Sequence, residues 1–230
     1  ELKIMSYNIR NCNGMDKTRS YIRVGEVIHS FGADAVALQE VDLGTGRNEG
    51  DDITAILAEI TGKVPTFAKA VDMDGGWYGV AMLTSELPSH TKYVPLPGRE
   101  EQRVLLMAEL SDYIFCCTHL SLVKEDRLAS VDIINKEVAD FAKGTGKPVF
   151  ISGDWNDMPD SEVIAKIEEN FEILTDKSVF TFPADVPDRT IDFIARWKGS
   201  PKGKLDKVAG TSVPAVPTAS DHRPVTVTVK

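Results

Sequence analysis

The sequence predicts one α/β domain made of two stacked mixed sheets with helices on their outer faces. Two observations carry that expectation. Short apolar β-like runs follow one another in series where strict alternation with helices would indicate a parallel doubly wound sheet. In addition, no linker-like stretch, internal repeat or low-complexity segment divides the 230 residues, so residues 1–230 read as one domain. A 42% hydrophobic and 27% charged composition is that of an ordinary globular chain with enough material for a substantial core.

Taken in order, Leu2 to Ile9 reads as a strand, and Met15 to Phe31 as a helix with Tyr21, Val24, Ile28 and Phe31 on one face. Ala33 to Val41 is an apolar strand, and Asp51 to Thr61 a helix whose Asp51 and Asp52 suit its positive N-terminal end. Four β-like runs follow: Thr66 to Val71, Trp77 to Thr84, His90 to Leu96 and Val104 to Leu110. Tyr113 to His119 is the next strand. Glu125 to Lys143 then repeats Leu128, Val131, Ile134, Val138 and Phe141 at helical spacing and stops at Gly144. Pro148 to Gly153 is a strand and Ser161 to Asn170 a short helix. The Pro-rich remainder offers strands at Thr190 to Ala195, Leu205 to Val208 and Val225 to Val229.

Several function classes are disfavoured. The net charge of -9 supplies no global attraction to nucleic acid or anionic membranes. No run approaches the roughly 18 apolar residues of a membrane span. Three cysteines, with Cys116 and Cys117 adjacent and Cys12 remote, match no zinc or redox spacing and read as buried thiols. The chain starts at Glu1 with no leader before its first strand, so a secreted or periplasmic location after trimming of a signal is as compatible as a cytoplasmic one.

What stands out is a series of polar residues that follow or interrupt apolar strands: Asn8, Glu40, His119, Asp154 with Asn156, Asp192, and Asp221 with His222. A single Asp or Asn in such a place is usually a turn former. Six such places, holding eight residues, are hard to explain as turns in one chain. Together they supply what hydrolysis of a phosphoester requires, namely a base for water, dipoles for the phosphoryl oxygens and carboxylates for a hard metal.

The ordered set Gln39-Glu40-Val41, Thr118-His119-Leu120, Gly153-Asp154-Trp155-Asn156, Thr190-Ile191-Asp192 and Ser220-Asp221-His222 resembles the endonuclease/exonuclease/phosphatase superfamily with its DNase I-like fold, in the form of small bacterial members. The resemblance spans nearly the whole chain, with Trp155 where the family usually has Phe. It implies a four-layered α/β/β/α sandwich. It also implies Glu40 as the principal Mg²⁺ ligand (Mn²⁺ as substitute), with Asn8 beside it and Asp221 near the same ion, a set of oxygens that suits hard cations. His222 would be the general base or water-orienting group, its other N–H held by Asp192. Asp154 competes with it for that role. Asn156 would donate to a phosphoryl oxygen, and His119 would bind the phosphate from another side, as a cation or as a donor.

From the residues themselves, Arg103 could reach the phosphate, since a guanidinium fork matches its oxygens. Arg47, in the Gly-rich loop Gly44 to Asp52, could touch substrate or form a surface salt bridge. Asp192 has the alternative of pairing with Arg189 or Arg196. The expected protein is therefore a divalent-metal-dependent phosphoesterase acting on a small or accessible phosphoester, with no stable membrane insertion and no required oligomer. Nuclease activity is the alternative, although no insertion rich in Arg, Lys and aromatics is present to grip a duplex. A phosphate-binding module that has lost catalysis is a third, and it should lack at least one of Glu40, Asp154, Asn156, Asp192 and His222.

Overall fold

The structure, a computed structural model, describes residues 1–230. Two six-stranded sheets face each other. The first has the order β11-β12-β1-β2-β4-β3 and the second β5-β6-β7-β8-β10-β9. The first contains β1 (Leu2–Asn8), β2 (Ala35–Leu43), β3 (Val64–Met73), β4 (Gly76–Thr84), β11 (Val208–Ser212) and β12 (Val225–Val229). The second contains β5 (His90–Leu96), β6 (Arg103–Glu109), β7 (Ile114–His119), β8 (Val149–Asp154), β9 (Phe171–Ile173) and β10 (Asp192–Trp197). Helices α1 (Tyr21–Phe31) and α2 (Ile53–Thr61) cover the first sheet, and α3 (Lys124–Ala142) and α4 (Glu162–Glu168) cover the second.

Three apolar layers result. The central one joins the sheets through residues such as Ile4, Ala37, Leu106, Phe115, Ile194 and Val227. One outer layer packs Met5, Leu38, Val24, Ile28 and Leu57 between the first sheet and its helices. The other packs Ile151, Phe193, Val131, Ile134 and Val163. Alternate side chains of each central strand thus enter different layers, as the period of two in a strand requires when both faces are covered. The expected four-layered sandwich is what forms. No helix is long and apolar enough to cross a membrane, and all three thiols are free and buried.

Several boundaries differ from the sequence reading, and one strand is additional to it. Helix α1 begins at Tyr21 and not Met15, because Ser20 caps it by accepting from the Arg23 N–H at 3.1 Å. The residues before it form a turn in which Lys17 has a φ of 60° and Asp16 accepts from Thr18 N–H. Strand β11 runs Val208–Ser212, beyond the expected Leu205 to Val208, with a register shift between Val208 and Gly210. The three-residue β9 was not expected at all, since so short a run carries no period to detect.

The parallel pairs β1–β2 and β7–β8 end at the same pole of the sandwich, where Asn8 stands beside Gln39 and His119 beside Asp154. Strand β10 starts there, with Asp192 opposite Asp154. Gly153 supports this pole by close approach: a Cβ there would lie 2.0 Å from the Thr118 carbonyl oxygen. Gly153→Ala should therefore destabilise the fold by about 1–3 kcal/mol, measured by urea unfolding; an unchanged midpoint would contradict the packing described.

Candidate active site

Because paired residues of neighbouring strands share a face, the row His119–Asp154–Asp192 across β7, β8 and β10 projects three polar side chains together. Two residues further into each of those strands, Cys117, Ser152 and Ile194 are wholly buried, and Cys117 and Ile194 belong to the central layer. The row therefore emerges from between the sheets. On the first sheet Asn8 continues the inward series of Leu2, Ile4 and Ser6.

Glu40 reaches the same place by a different device. Strand β2 does not end there but runs on to Leu43, and its pairing with β4 jumps from Leu38–Ala81 to Val41–Gly79. Gln39 and Glu40 together oppose Val80, so this is a β-bulge, with Glu40 at a φ of 55°. Leu38 and Val41 both pack toward the helices, and the extra residue lets Glu40 follow Gln39 toward the site when alternation would have turned it outward.

Asp154 is the centre of the cluster and is 1% exposed. It accepts from Asn8 Nδ2 at 3.0 Å and from the Asn156 N–H at 3.0 Å, with His119 Nε2 at 3.3 Å and His222 Nε2 at 3.4 Å. Burial pushes its carboxyl up, but the His222 and His119 rings and the hydrogen bonds outweigh this and hold it below the usual carboxylate range. His222, 3% exposed, also has Nδ1 2.8 Å from Asp192 Oδ2, the oxygen that accepts from Thr181 Oγ1 at 2.7 Å. Burial lowers His222, yet the Asp192 and Asp154 carboxylates prevail and raise it to about 10. Burial raises Asp192 to about 6 despite the His222 charge. Arg189 pairs with Asp188, and Arg196 donates to the carbonyls of Pro201 and Lys204, so neither is the partner of Asp192.

His119 has its role narrowed by Arg103, which is 5% exposed. Arg103 NH1 lies 2.8 Å from His119 Nδ1, and a guanidinium can only donate. Nδ1 therefore accepts, and the ring N–H is on Nε2, facing Asp154. His119 is thus a donor in this arrangement. Asn156 donates to the Leu120 carbonyl at 2.7 Å through one N–H of its amide.

The carboxylates of Glu40 and Asp154 and a ring nitrogen of His222 lie within 4.8 Å of one another. Asn8 Nδ2 bonds both carboxylates, while Asn8 Oδ1 accepts from the Arg10 N–H. Asn8 so placed organises the carboxylates as a donor, and acting as an oxygen ligand would require its amide to turn. Two carboxylates joined through one amide leave unshared oxygen lone pairs, a donor set that fits a hard divalent cation. Asp221 lines the same cleft, one quarter exposed, with Oδ2 3.9 Å from Arg10 Nε.

The cleft has a volume of about 560 Å³. It brings Glu40, Arg103, His119, Asp154, Asn156, Asp221 and His222 together; Asn8 and Asp192 stand behind it as hydrogen-bond partners. Arg47 lines an adjoining cavity and is held by Asp42 through Nε at 2.6 Å and NH2 at 2.7 Å. The sequence reading did not place Arg10, Thr181 or Phe182 at the site. Phe182 packs its ring 4.7 Å from that of His222. Thr181 and Phe182 lie in a segment without periodic pattern, and only their nearness to Asp192 in sequence could have marked them. Tyr78 is 6% exposed and lines the cleft.

This chain belongs to the Endonuclease/Exonuclease/phosphatase family, whose model matches residues 5–222. Solved structures agree in fold. An endonuclease/exonuclease/phosphatase from Beutenbergia cavernae is 22% identical with a TM-score of 0.79, covering 100% of this chain and 71% of its own. The mannosyl-6-phosphatase of Bacteroides thetaiotaomicron is 16% identical with a TM-score of 0.77 over 100% of both chains. The human Nocturnin catalytic domain, solved with bound sulfate, is 18% identical with a TM-score of 0.70, covering 100% of this chain and 93% of its own. No curated protein matches the sequence.

In the metal-free protein the His222 ring should titrate by NMR far above the ordinary histidine value of 6.5. Because its folded pKa is raised, the stability it contributes is complete below about pH 6.5 and is lost as pH climbs toward 10. Asp192→Asn should bring the midpoint down by at least about one unit, roughly 1.4 kcal/mol of lost pairing. A wild-type midpoint near 6.5 would refute this electrostatic account.

Proposed function

We propose that this protein is a divalent-metal-dependent hydrolase of a small or accessible phosphoester. Members of its family are hydrolases acting on phosphoester bonds. One observation carries the reading: a buried relay, Asp192–His222–Asp154, opens into a cleft that also presents Glu40, His119 and Asn156.

Asp154, held ionised, would accept a hydrogen bond from the attacking water and, with His222, set its position. His222, kept protonated by Asp192, orients and donates. The second N–H of Asn156 would hold a phosphoryl oxygen, and Arg103 keeps the His119 proton on Nε2, where it supports the Asp154 carboxylate. Glu40, with Asp154 and Asp221, would hold Mg²⁺ or Mn²⁺, which supplies charge neutralisation at the phosphoryl and leaving oxygens. The net charge of -9 and the absence of a basic, aromatic-rich insertion favour a small ester over a nucleic acid duplex. The Bacteroides neighbour named as a mannosyl-6-phosphatase is consistent with that choice.

The test is hydrolysis of p-nitrophenyl phosphate and bis-p-nitrophenyl phosphate with Mg²⁺, Mn²⁺ or EDTA. Release should require metal, and the preferred chromogen should separate monoester from diester chemistry. His222→Ala should slow turnover by about 10²–10⁴-fold and also lower folding stability, because it leaves the Asp154 and Asp192 carboxylates buried without their partner; near-wild-type rates in the folded variant would remove it from the mechanism. Glu40→Gln should raise the Mg²⁺ concentration for half-maximal rate, and an unchanged metal titration would strike Glu40 from the ligands.

A further inference from the structure

The cleft does not end at Glu40. A second cavity of about 390 Å³ joins it there, sharing Glu40, Tyr78 and Glu101 as common walls. Its remaining lining includes Arg10, Asn11, Asn13 and Arg47. These side chains carry hydrogen-bonding capacity that the protein leaves free. The Arg10 guanidinium makes no hydrogen bond, and its nearest anion, Asp221, is 3.9 Å away. Arg47 spends Nε and NH2 on Asp42, which leaves NH1. Asn11 donates Nδ2 to Asn48 Oδ1 and keeps its own Oδ1, and the Asn13 side chain bonds nothing within the protein.

The floor beneath them is fixed. Arg10, Asn11 and Cys12 all have positive φ, at 46°, 43° and 61°. Such a run persists only where its surroundings hold it. The buried Asn48 does so, accepting from Asn11 Nδ2 at 2.7 Å and donating to the Asn11 carbonyl at 3.0 Å. One buried amide thus ties the loop that carries Arg10 to the loop that carries Arg47.

Charge decides what this cavity selects. Arg47 is paired with Asp42, Arg10 faces Asp221, and Glu101 faces Arg103 at 3.4 Å. Both arginines have a counter-charge and Glu40 adds a negative one, so there is no unbalanced positive field for a second phosphate. What remains is a mixture of fixed donors and acceptors, which matches groups that both donate and accept, namely hydroxyls. Direction agrees. Asp154 and His222 line the first cavity and not the second. Phe182, an apolar residue of the first cavity, packs against His222. Glu40 lines both cavities, so an ester whose phosphoryl group sits in the first can extend its organic group past Glu40 into the second.

We infer that the cavity bounded by Arg10, Asn11, Asn13, Arg47 and Glu101 is a leaving-group subsite for a polyhydroxylated moiety, so that the substrate is a sugar- or polyol-like phosphoester. This rests on the phosphoesterase reading above. The probes are hexose 6-phosphates and n-hexyl phosphate, six-carbon esters that differ in their hydroxyls. Each is used as a competitor of whichever chromogenic ester the metal-loaded protein hydrolyses. The best hexose 6-phosphate should bind at least about tenfold more tightly than n-hexyl phosphate. Arg10→Ala and Asn13→Ala, whose side chains make no internal hydrogen bond, should each cut that ratio at least about threefold. Equal binding of the two ester types, or a ratio that neither variant moves, overturns the subsite and leaves the phosphoesterase reading standing. If neither chromogen is hydrolysed with any metal, the phosphoesterase reading fails. Calorimetric titration of the same competitors then decides the subsite by the same ratio.

Discussion

The burial of the Asp154 carboxylate constrains the rest of this structure. A carboxylate removed from water must be compensated by hydrogen bonds and opposite charge, or it becomes neutral. Here the compensation comes from four separate stretches of chain. Asn8 reaches it from the first sheet, His119 from the neighbouring strand, His222 from the segment before β12, and the Asn156 N–H from its own turn. Meeting the needs of one ion thus clamps the two sheets at one pole. The same contacts hold the carboxylate ionised and aimed into a cleft. Structural and chemical demands coincide at this atom group.

Two of the partners of Asp154 are themselves fixed from behind. His222 between two carboxylates carries a proton that Asp192 and Thr181 stabilise from behind. His119 is given one tautomer by Arg103. Neither ring is free to choose its protonation pattern, and this is how a buried network gains directionality. Glu40 enters from the opposite sheet by a bulge whose left-handed residue costs about 1–2 kcal/mol relative to ordinary strand geometry. The distortion turns inward a side chain that would otherwise pack toward the helices, where a carboxylate has no use.

Much of this was legible in the sequence, for identifiable reasons. Leu2–Asn8, Ile114–His119 and Val149–Asp154 are apolar runs ending in a polar residue, and both the strands and the polar residues at their tips follow from that pattern. Asp221 and His222 stood out in the same way. The bulge at Glu40 was not legible, because alternation is lost at only one residue and the apolar run appears simply to stop. Nor was the start of α1 at Tyr21, where the Ser20 cap overrides apolar residues that begin earlier. Arg10 went unnoticed because its importance arises from a loop of positive φ and from Asn48, 37 residues away from Asn11. Thr181 and Phe182 sit in a loop whose path is set by contacts with β10 and His222 and by no local period.

The central claim is that the two sheets meet to hold a cation at Glu40 next to Asp154 and His222. Diffraction from crystals of this protein soaked in Mn²⁺, with the ion located by its anomalous signal, tests that claim directly. The account predicts one strong peak within coordination distance of the Glu40 carboxylate, about 2.0–2.3 Å for a hard divalent ion with oxygen ligands, and its loss in Glu40→Gln. A peak elsewhere on the molecule, or none in the cleft at saturating Mn²⁺, would contradict it.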